Sequence, residues 1–213
     1  GTLPDYACVL TFDDGFRNNL TLAEPLLAAH GFTATVFLPT DVIGTGELLW
    51  PDRLWLALKA EGADDARVAA TLHACKALPR AEKDAFLADV AAQVRPPTPE
   101  DAAPFDLLDW DEVRAMQARG VMTFAPHSTT HEILSRCDDA EVRRQVADSV
   151  RAIAERLELT PRVFAYPNGR AVDFDERTRA ALGAAGVPWA VSTIEGRNGP
   201  AADPLALRRT CVG

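Results

Sequence analysis

The segment 6–38 constrains the fold more than any other part of the chain. Tyr6-Ala-Cys-Val-Leu-Thr-Phe12 is a short, nearly continuous apolar run that stops at Asp13-Asp14-Gly15. Such a run reads as a strand buried in a parallel sheet, delivering polar residues at its C-terminal end. Cys8 within it reads as a small core residue. Leu20, Leu22, Ala23, Leu26 and Leu27 follow at helical spacing, and Gly31 is a natural stop. Thr33 to Leu38 is a second strand, rich in β-branched and aromatic residues. Strand, helix and strand so close together make a βαβ unit, which predicts an α/β fold.

The rhythm breaks after residue 39. Gly44, Gly46 and Pro51 mark a loop, helical stretches cover Asp52 to Ala60, Asp64 to Leu78 and Arg80 to Val94, and Arg95-Pro-Pro-Thr-Pro99 ends them. This block, about residues 44–107, reads as a helical insertion within a single domain spanning 1–213. Asp109-Trp-Asp-Glu112 then has capping-box spacing and opens a helix to about Arg119. Val121 to Phe124 is a strand candidate. Asp138-Asp-Ala-Glu141 repeats the capping spacing before a stripe of Val142, Val146, Val150, Ile153 and Leu157. Strands at Val163 to Tyr166 and Pro188 to Thr193 flank a helix from Asp175 to Leu182, with a last strand candidate within Leu205 to Val212. This alternation predicts a (β/α) barrel or an open doubly wound sheet.

Composition narrows the function. The chain has 213 residues, 47% hydrophobic and 25% charged, which suits one globular domain. Its 22 basic and 31 acidic residues leave a net charge of −9, which argues against nucleic acid and anionic membrane as partners. No stretch reaches the roughly 20 apolar residues of a membrane span. The four cysteines are far apart, with no C-x-x-C pair, and favour a reducing cytoplasm over a secreted space. A periplasmic or secreted location stays open, because a leader could precede Gly1. Nothing in the sequence indicates an oligomeric state.

Three motifs carry chemistry. Asp13-Asp14 is either a solvated turn with a helix cap or a metal ligand beside a general base, because adjacent like charges need a cation or a proton. His127-Ser-Thr-Thr-His131 holds two of the four histidines, and their spacing would put both imidazoles on one face of a helical turn. By themselves they could be a chance surface pair. With Asp14 they make two nitrogens and one carboxylate, the ligand set of a catalytic zinc with an open position. His30 and His73 have no such company. Phe164-Ala-Tyr-Pro-Asn-Gly169 is a strand running into a turn, either a plain turn or a groove wall with backbone N–H groups aimed at a developing oxyanion.

In this order, Thr11-Phe-Asp-Asp-Gly15, His127-Ser-Thr-Thr-His131-Glu-Ile-Leu134 and Phe164-Ala-Tyr-Pro-Asn-Gly169 resemble the first three motifs of carbohydrate esterase family four, the polysaccharide deacetylases with a distorted (β/α) barrel. The resemblance runs from residue 6 to about 212, apart from the insertion, and is nearest to bacterial exopolysaccharide and holdfast-type deacetylases. It implies a divalent ion, zinc first, with cobalt, nickel or manganese as alternatives, on Asp14, His127 and His131. It implies Asp13 as catalytic base, the backbone N–H of Asn168 as oxyanion donor, and Tyr166 and Pro167 as lining of a sugar groove. Ser128 and Thr129 would shape the histidine turn. The implied substrate is an N-acetylated polysaccharide or oligosaccharide, losing acetyl groups from N-acetylhexosamine units.

Two departures stand out. The family's third-motif Arg is replaced by Ala165, and no histidine follows His131 to act as the late general acid. Arg208 or Arg209 could replace the missing Arg electrostatically, but an Arg is a poor proton donor. Within the insertion, Trp50, Pro51 and Trp55 could cap the groove, with Trp50 stacking on sugar, or could pack a small core of their own. The rival functions are a catalytically weakened metal- and carbohydrate-binding relative, an amidohydrolase acting on a small non-sugar amide, and a phosphotransferase. The last lacks a phosphate-cradling Gly-rich loop.

Overall fold

A computed structural model describes residues 7–94 and 97–212. Tyr6 and the Arg95-Pro96 part of the proline stop lie outside them. Three parallel strands, β1 (Leu10–Phe12), β2 (Ala34–Leu38) and β3 (Met122–Pro126), form one sheet in that order. β4 (Val163–Ala165), β5 (Trp189–Glu195) and β6 (Leu207–Arg209) form a second parallel sheet. The helices α1 (Glu24–His30), α6 (Trp110–Arg119), α7 (Asp139–Leu157) and α8 (Glu176–Ala184) cover the strands. The result is a distorted (β/α) barrel whose strands all point the same way.

Side-chain alternation explains the layering. Phe37, Ala125, Ala165 and Val191, with Leu207 beside them, meet between the two sheets. On the other face of β2, Val36 and Leu38 pack with Val113 and Met116 of α6 and Ile153 and Leu157 of α7. Val142 and Val146 of α7 join Phe164 of β4 and Leu182 of α8. The apolar stripe of α7 thus belongs to both outer cores, so this helix covers the seam between the sheets.

Helix ends follow the sequence signals in part. Asp109 and Glu112 form a complete capping box at α6. At α7, Asp138 accepts from the Glu141 N–H, but the Glu141 side chain turns away to Arg144 and Gln145. The helix expected from residue 19 opens instead as a π-turn, Asn19–Ala23, before α1. β1 is shorter than expected, and Cys8 is exposed rather than core. The physical reason is that, among the described residues, β1 is an edge strand paired with β2 alone, so Cys8 has no strand beside it to extend the ladder.

The block after β2 contains α2 (Trp50–Ala60), α3 (Asp65–Ala77), α4 (Arg80–Gln93) and the short α5 (Pro99–Ala102). It packs on its own apolar cluster, centred on Trp50, Leu54, Leu58, Val68 and Cys75, with Phe86 and Leu87 from α4. Trp50 is therefore a core residue, only 5% exposed, and does not offer its ring to a sugar.

The bridging role of α7 can be tested. Ile153 is fully buried, so Ile153→Ala is expected to lower unfolding free energy by about 3 kcal/mol in denaturant titration. A loss below about 1 kcal/mol would show that α7 does not seat on the first sheet in this way.

Candidate metal centre

The C-terminal ends of β1, β3 and β4 meet at one rim. Asp14 lies two residues past β1 with φ 72°, a left-handed conformation that aims its carboxyl across the rim. Gly15 follows, also left-handed, and a Cβ there would sit 2.5 Å from Leu38 Cδ2. Only glycine fits so close beneath the turn.

His127 follows β3. Its Nδ1 lies 2.8 Å from the Ala165 carbonyl of β4, so Nδ1–H donates and Nε2 is free to face Asp14. His131 arrives by a different route from the one expected. Residues 127–131 are not helical; Ser128 (φ 63°) and His131 (φ 58°) are both left-handed. Ser128 Oγ accepts the His131 N–H at 3.0 Å, and Gln145 Oε1, buried on α7, accepts the N–H groups of Thr129 and Thr130. This turn brings the two rings together edge to face, with centroids 5.0 Å apart.

Asp14 Oδ1 lies 3.1 Å from His131 Nε2 and 3.5 Å from His127 Nε2, so the three expected ligands converge. Asp14 Oδ1 and His131 Nδ1 are both buried without a hydrogen bond. Buried polar atoms are rarely left so, and orphans on a convergent carboxylate–imidazole set fit a cation. The electrostatics agree. Burial works to raise the Asp14 carboxyl, but His131, His127 and Arg209 outweigh it and hold it at about 2. Burial lowers His127, which favours its neutral form. His131 is raised: burial opposes, but the neighbouring Asp14 charge, with those of Asp13 and Asp52, outweighs it.

Asp13 points elsewhere. Arg209, on β6, donates to both of its carboxylate oxygens at 2.7 Å. The guanidinium is itself held by the Ser192 carbonyl at 2.8 Å and the Thr11 hydroxyl at 3.2 Å. Asp13 and Arg209 are both partly buried, at 27% and 17% side-chain exposure. A bidentate fork of this kind fixes the carboxylate plane, while lone pairs remain for another donor. Arg209, rather than Arg208, occupies this place; Arg208 lies on the Asn198 loop.

Asn168, past β4, is left-handed (φ 61°), and among the described residues its backbone N–H has no partner. Its side chain accepts from Lys76 Nζ of α3 at 2.7 Å and donates to Asp173. Gly169 closes the turn, where a Cβ would lie 2.9 Å from the Thr193 nitrogen. Tyr166 and Pro167 do not line a groove. Tyr166 is fully buried, stacked on Phe174 at 3.9 Å with its hydroxyl donating to the Leu205 carbonyl, and Pro167 is buried beside it. The even apolar alternation of β4 pulls this aromatic into the outer core.

Sequence reasoning missed the contribution of the helical block. Trp50 Nε1 donates to the His131 carbonyl at 3.2 Å. Lys83 of α4, 4% exposed, pairs with Glu132 next to His131 and lies 4.7 Å over the Trp50 ring. Asp52 of α2 keeps a buried, unpartnered Oδ2. Burial and the neighbouring Asp14 charge push its carboxyl up to about 6 against the pull of His131. Burial, helped by Arg170, lowers Lys76. No periodicity points to these four residues, and the partners of Trp50, Lys83 and Lys76 lie far along the chain.

No curated protein is significantly similar in sequence. Among solved structures, the chain is similar to the BpsB deacetylase domain from Bordetella bronchiseptica (22% identity, TM-score 0.65, 98% of this chain on 72% of that one). It is also similar to IcaB from Ammonifex degensii (17%, TM-score 0.64, 99% on 70%). A third is the Streptococcus pyogenes deacetylase PplD in complex with acetate (18%, TM-score 0.63, 98% on 66%). The chain thus spans between 66% and 72% of the length of these neighbours. These likenesses establish the distorted barrel, and the polysaccharide deacetylase sequence model matches residues 1–190. With that match covering most of the chain, and with the three motifs meeting at one rim, the protein belongs to the polysaccharide deacetylase family.

Proposed function

We propose that this chain is a metal-dependent deacetylase that removes acetyl groups from N-acetylhexosamine units of a bacterial exopolysaccharide. The observation that carries the reading is the convergence of Asp14, His127 and His131, with orphaned buried atoms, beside a carboxylate of different orientation, Asp13. Likeness to proteins named as deacetylases, one of them in complex with acetate, supports the reaction type. The N-acetylhexosamine and exopolysaccharide assignments rest on the motif resemblance.

Asp14 and the two Nε2 atoms would hold the ion, which supplies Lewis acidity toward an acyl oxygen and water when bound. Asp13 accepts the proton of the attacking water as the C–O bond forms. Arg209 sets the direction of that proton transfer by gripping both oxygens. The free N–H of Asn168 donates to the oxyanion. As the C–N bond breaks, Asp13 returns the proton to the leaving amine. Acetate and a free amino sugar result, so atoms and charge balance.

The test is acetate release from N-acetylglucosamine oligomers by the zinc-loaded protein. Release is expected to stop with a chelator, return on adding zinc, and be lost in His127→Ala. One bound ion per chain without any acetate release would instead favour the carbohydrate-binding relative or another acyl substrate.

The two carboxylates should separate kinetically. Asp13→Asn is expected to lower kcat by about 10²- to 10⁴-fold, the usual worth of a general base, while leaving zinc affinity within a few-fold. Arg209→Met should lower kcat by about 10- to 100-fold through misdirection of Asp13. Steady-state kinetics beside zinc titration would check both, and loss of zinc binding in either variant would contradict the assignment.

A further inference from the structure

The proposed metal reading leaves one group unexplained, a second acid on the same side of the site. Asp13 is neutralised by the bidentate grip of Arg209. That leaves Asp14 and Asp52, which lies two residues after Trp50, whose Nε1 donates to the His131 carbonyl. Each has a buried oxygen without a hydrogen bond, Asp14 Oδ1 and Asp52 Oδ2, and His131 Nδ1 is a third orphan. An acid in the first turn of a helix is often explained by capping or the helix dipole. Asp52 lies in the first turn of α2, but its side chain caps nothing and its Oδ2 is turned away from water. The helix is also fixed on the site, because Trp50 is bonded to the His131 carbonyl and covered by Lys83.

Ligating imidazoles generally present their second nitrogen to an acceptor, and that acceptor tunes affinity. His127 has one in the Ala165 carbonyl; His131 has none among the described residues. We infer that Asp52 is the outer carboxylate of the metal centre: a positioning residue, contributed by the helical block, that balances the second charge of a divalent cation and supports His131 from outside the ligand set. The block is then part of the site rather than a decoration beside it. This inference rests on the metal reading above.

The test is zinc affinity of the parent and of Asp52→Asn at pH 8, by competition with a chromophoric chelator, with thermal melting of both proteins with and without zinc. Asp52→Asn is nearly isosteric. The expected result is a 10- to 100-fold weaker Kd. The zinc-induced rise in Tm should shrink with it. The Tm without zinc should be unchanged or higher, because a buried like-charge repulsion is gone. Zinc affinity within twofold of the parent would overturn the inference and leave the metal reading standing. A weaker Kd accompanied by a fall of several degrees in the zinc-free Tm would also overturn it, as a purely structural role predicts. A parent that binds no zinc would remove both readings.

Discussion

Parallel pairing throughout both sheets of the described residues brings strand ends to one rim, and that common direction is the constraint on which everything else depends. In an antiparallel sheet neighbouring strands would deliver their last residues to opposite edges. Here, Asp13 and Asp14, His127 and Asn168 leave their strands on the same side, and β6 brings Arg209 to Asp13 from the far end of the chain. The tie joins the last strand to the end of the first. The rest of the fold keeps those ends in register: α7 covers the seam between the sheets, and the His127–Ala165 hydrogen bond crosses it at the rim.

The rim is also where the chain stores its backbone strain. Among the described residues, the non-glycine positions with positive φ are Asp14, Ser128, His131, Asn168 and Glu158, and only Glu158, at the end of α7, lies away from the site. Each left-handed non-glycine residue costs on the order of 1–3 kcal/mol and persists only where its surroundings over-determine it. The surroundings do so here. Gln145 and Ser128 hold the histidine turn, and Leu38 packs against Gly15. Strain, orphaned polar atoms and paired acids therefore coincide at a single place. Such coincidence is expected of a site built for a ligand rather than for stability.

Local chemistry was legible in the sequence, and distant chemistry was not. The βαβ opening, the α6 capping box and the apolar stripe of α7 depend on neighbours within a turn or two, so residue order reveals them. The spacing of His127 and His131 pointed to a shared ion but misled on conformation, because Gln145, a distant acceptor, makes a left-handed turn cheaper than a helical one. Tyr166 looked like a groove aromatic because of its motif, yet Phe174 and the Leu205 carbonyl hold it in the core. Cys8 looked buried from the apolarity of its run, which cannot reveal an edge strand. Arg209 was a candidate only because the third-motif Arg was missing.

The helical block shows why the remainder stayed hidden. Its helices and its tryptophans account for themselves through their own small core, so a linear reading has no reason to connect them with the rim. The connections are single side chains reaching across large separations: Trp50 to His131, Lys83 to Glu132 and Lys76 to Asn168. Among them the Lys83–Glu132 pair is the costliest arrangement. Two charges, both less than a tenth exposed, are tolerated only because each satisfies the other. A buried pair of this kind contributes little net stability compared with an apolar contact, but it penalises every other docking of α4 against the ligand turn. The block is thus held by specificity more than by stickiness. A chain that needs α2, α3 and α4 at fixed positions beside His131 and Asn168 has a physical reason to keep charges there rather than leucines.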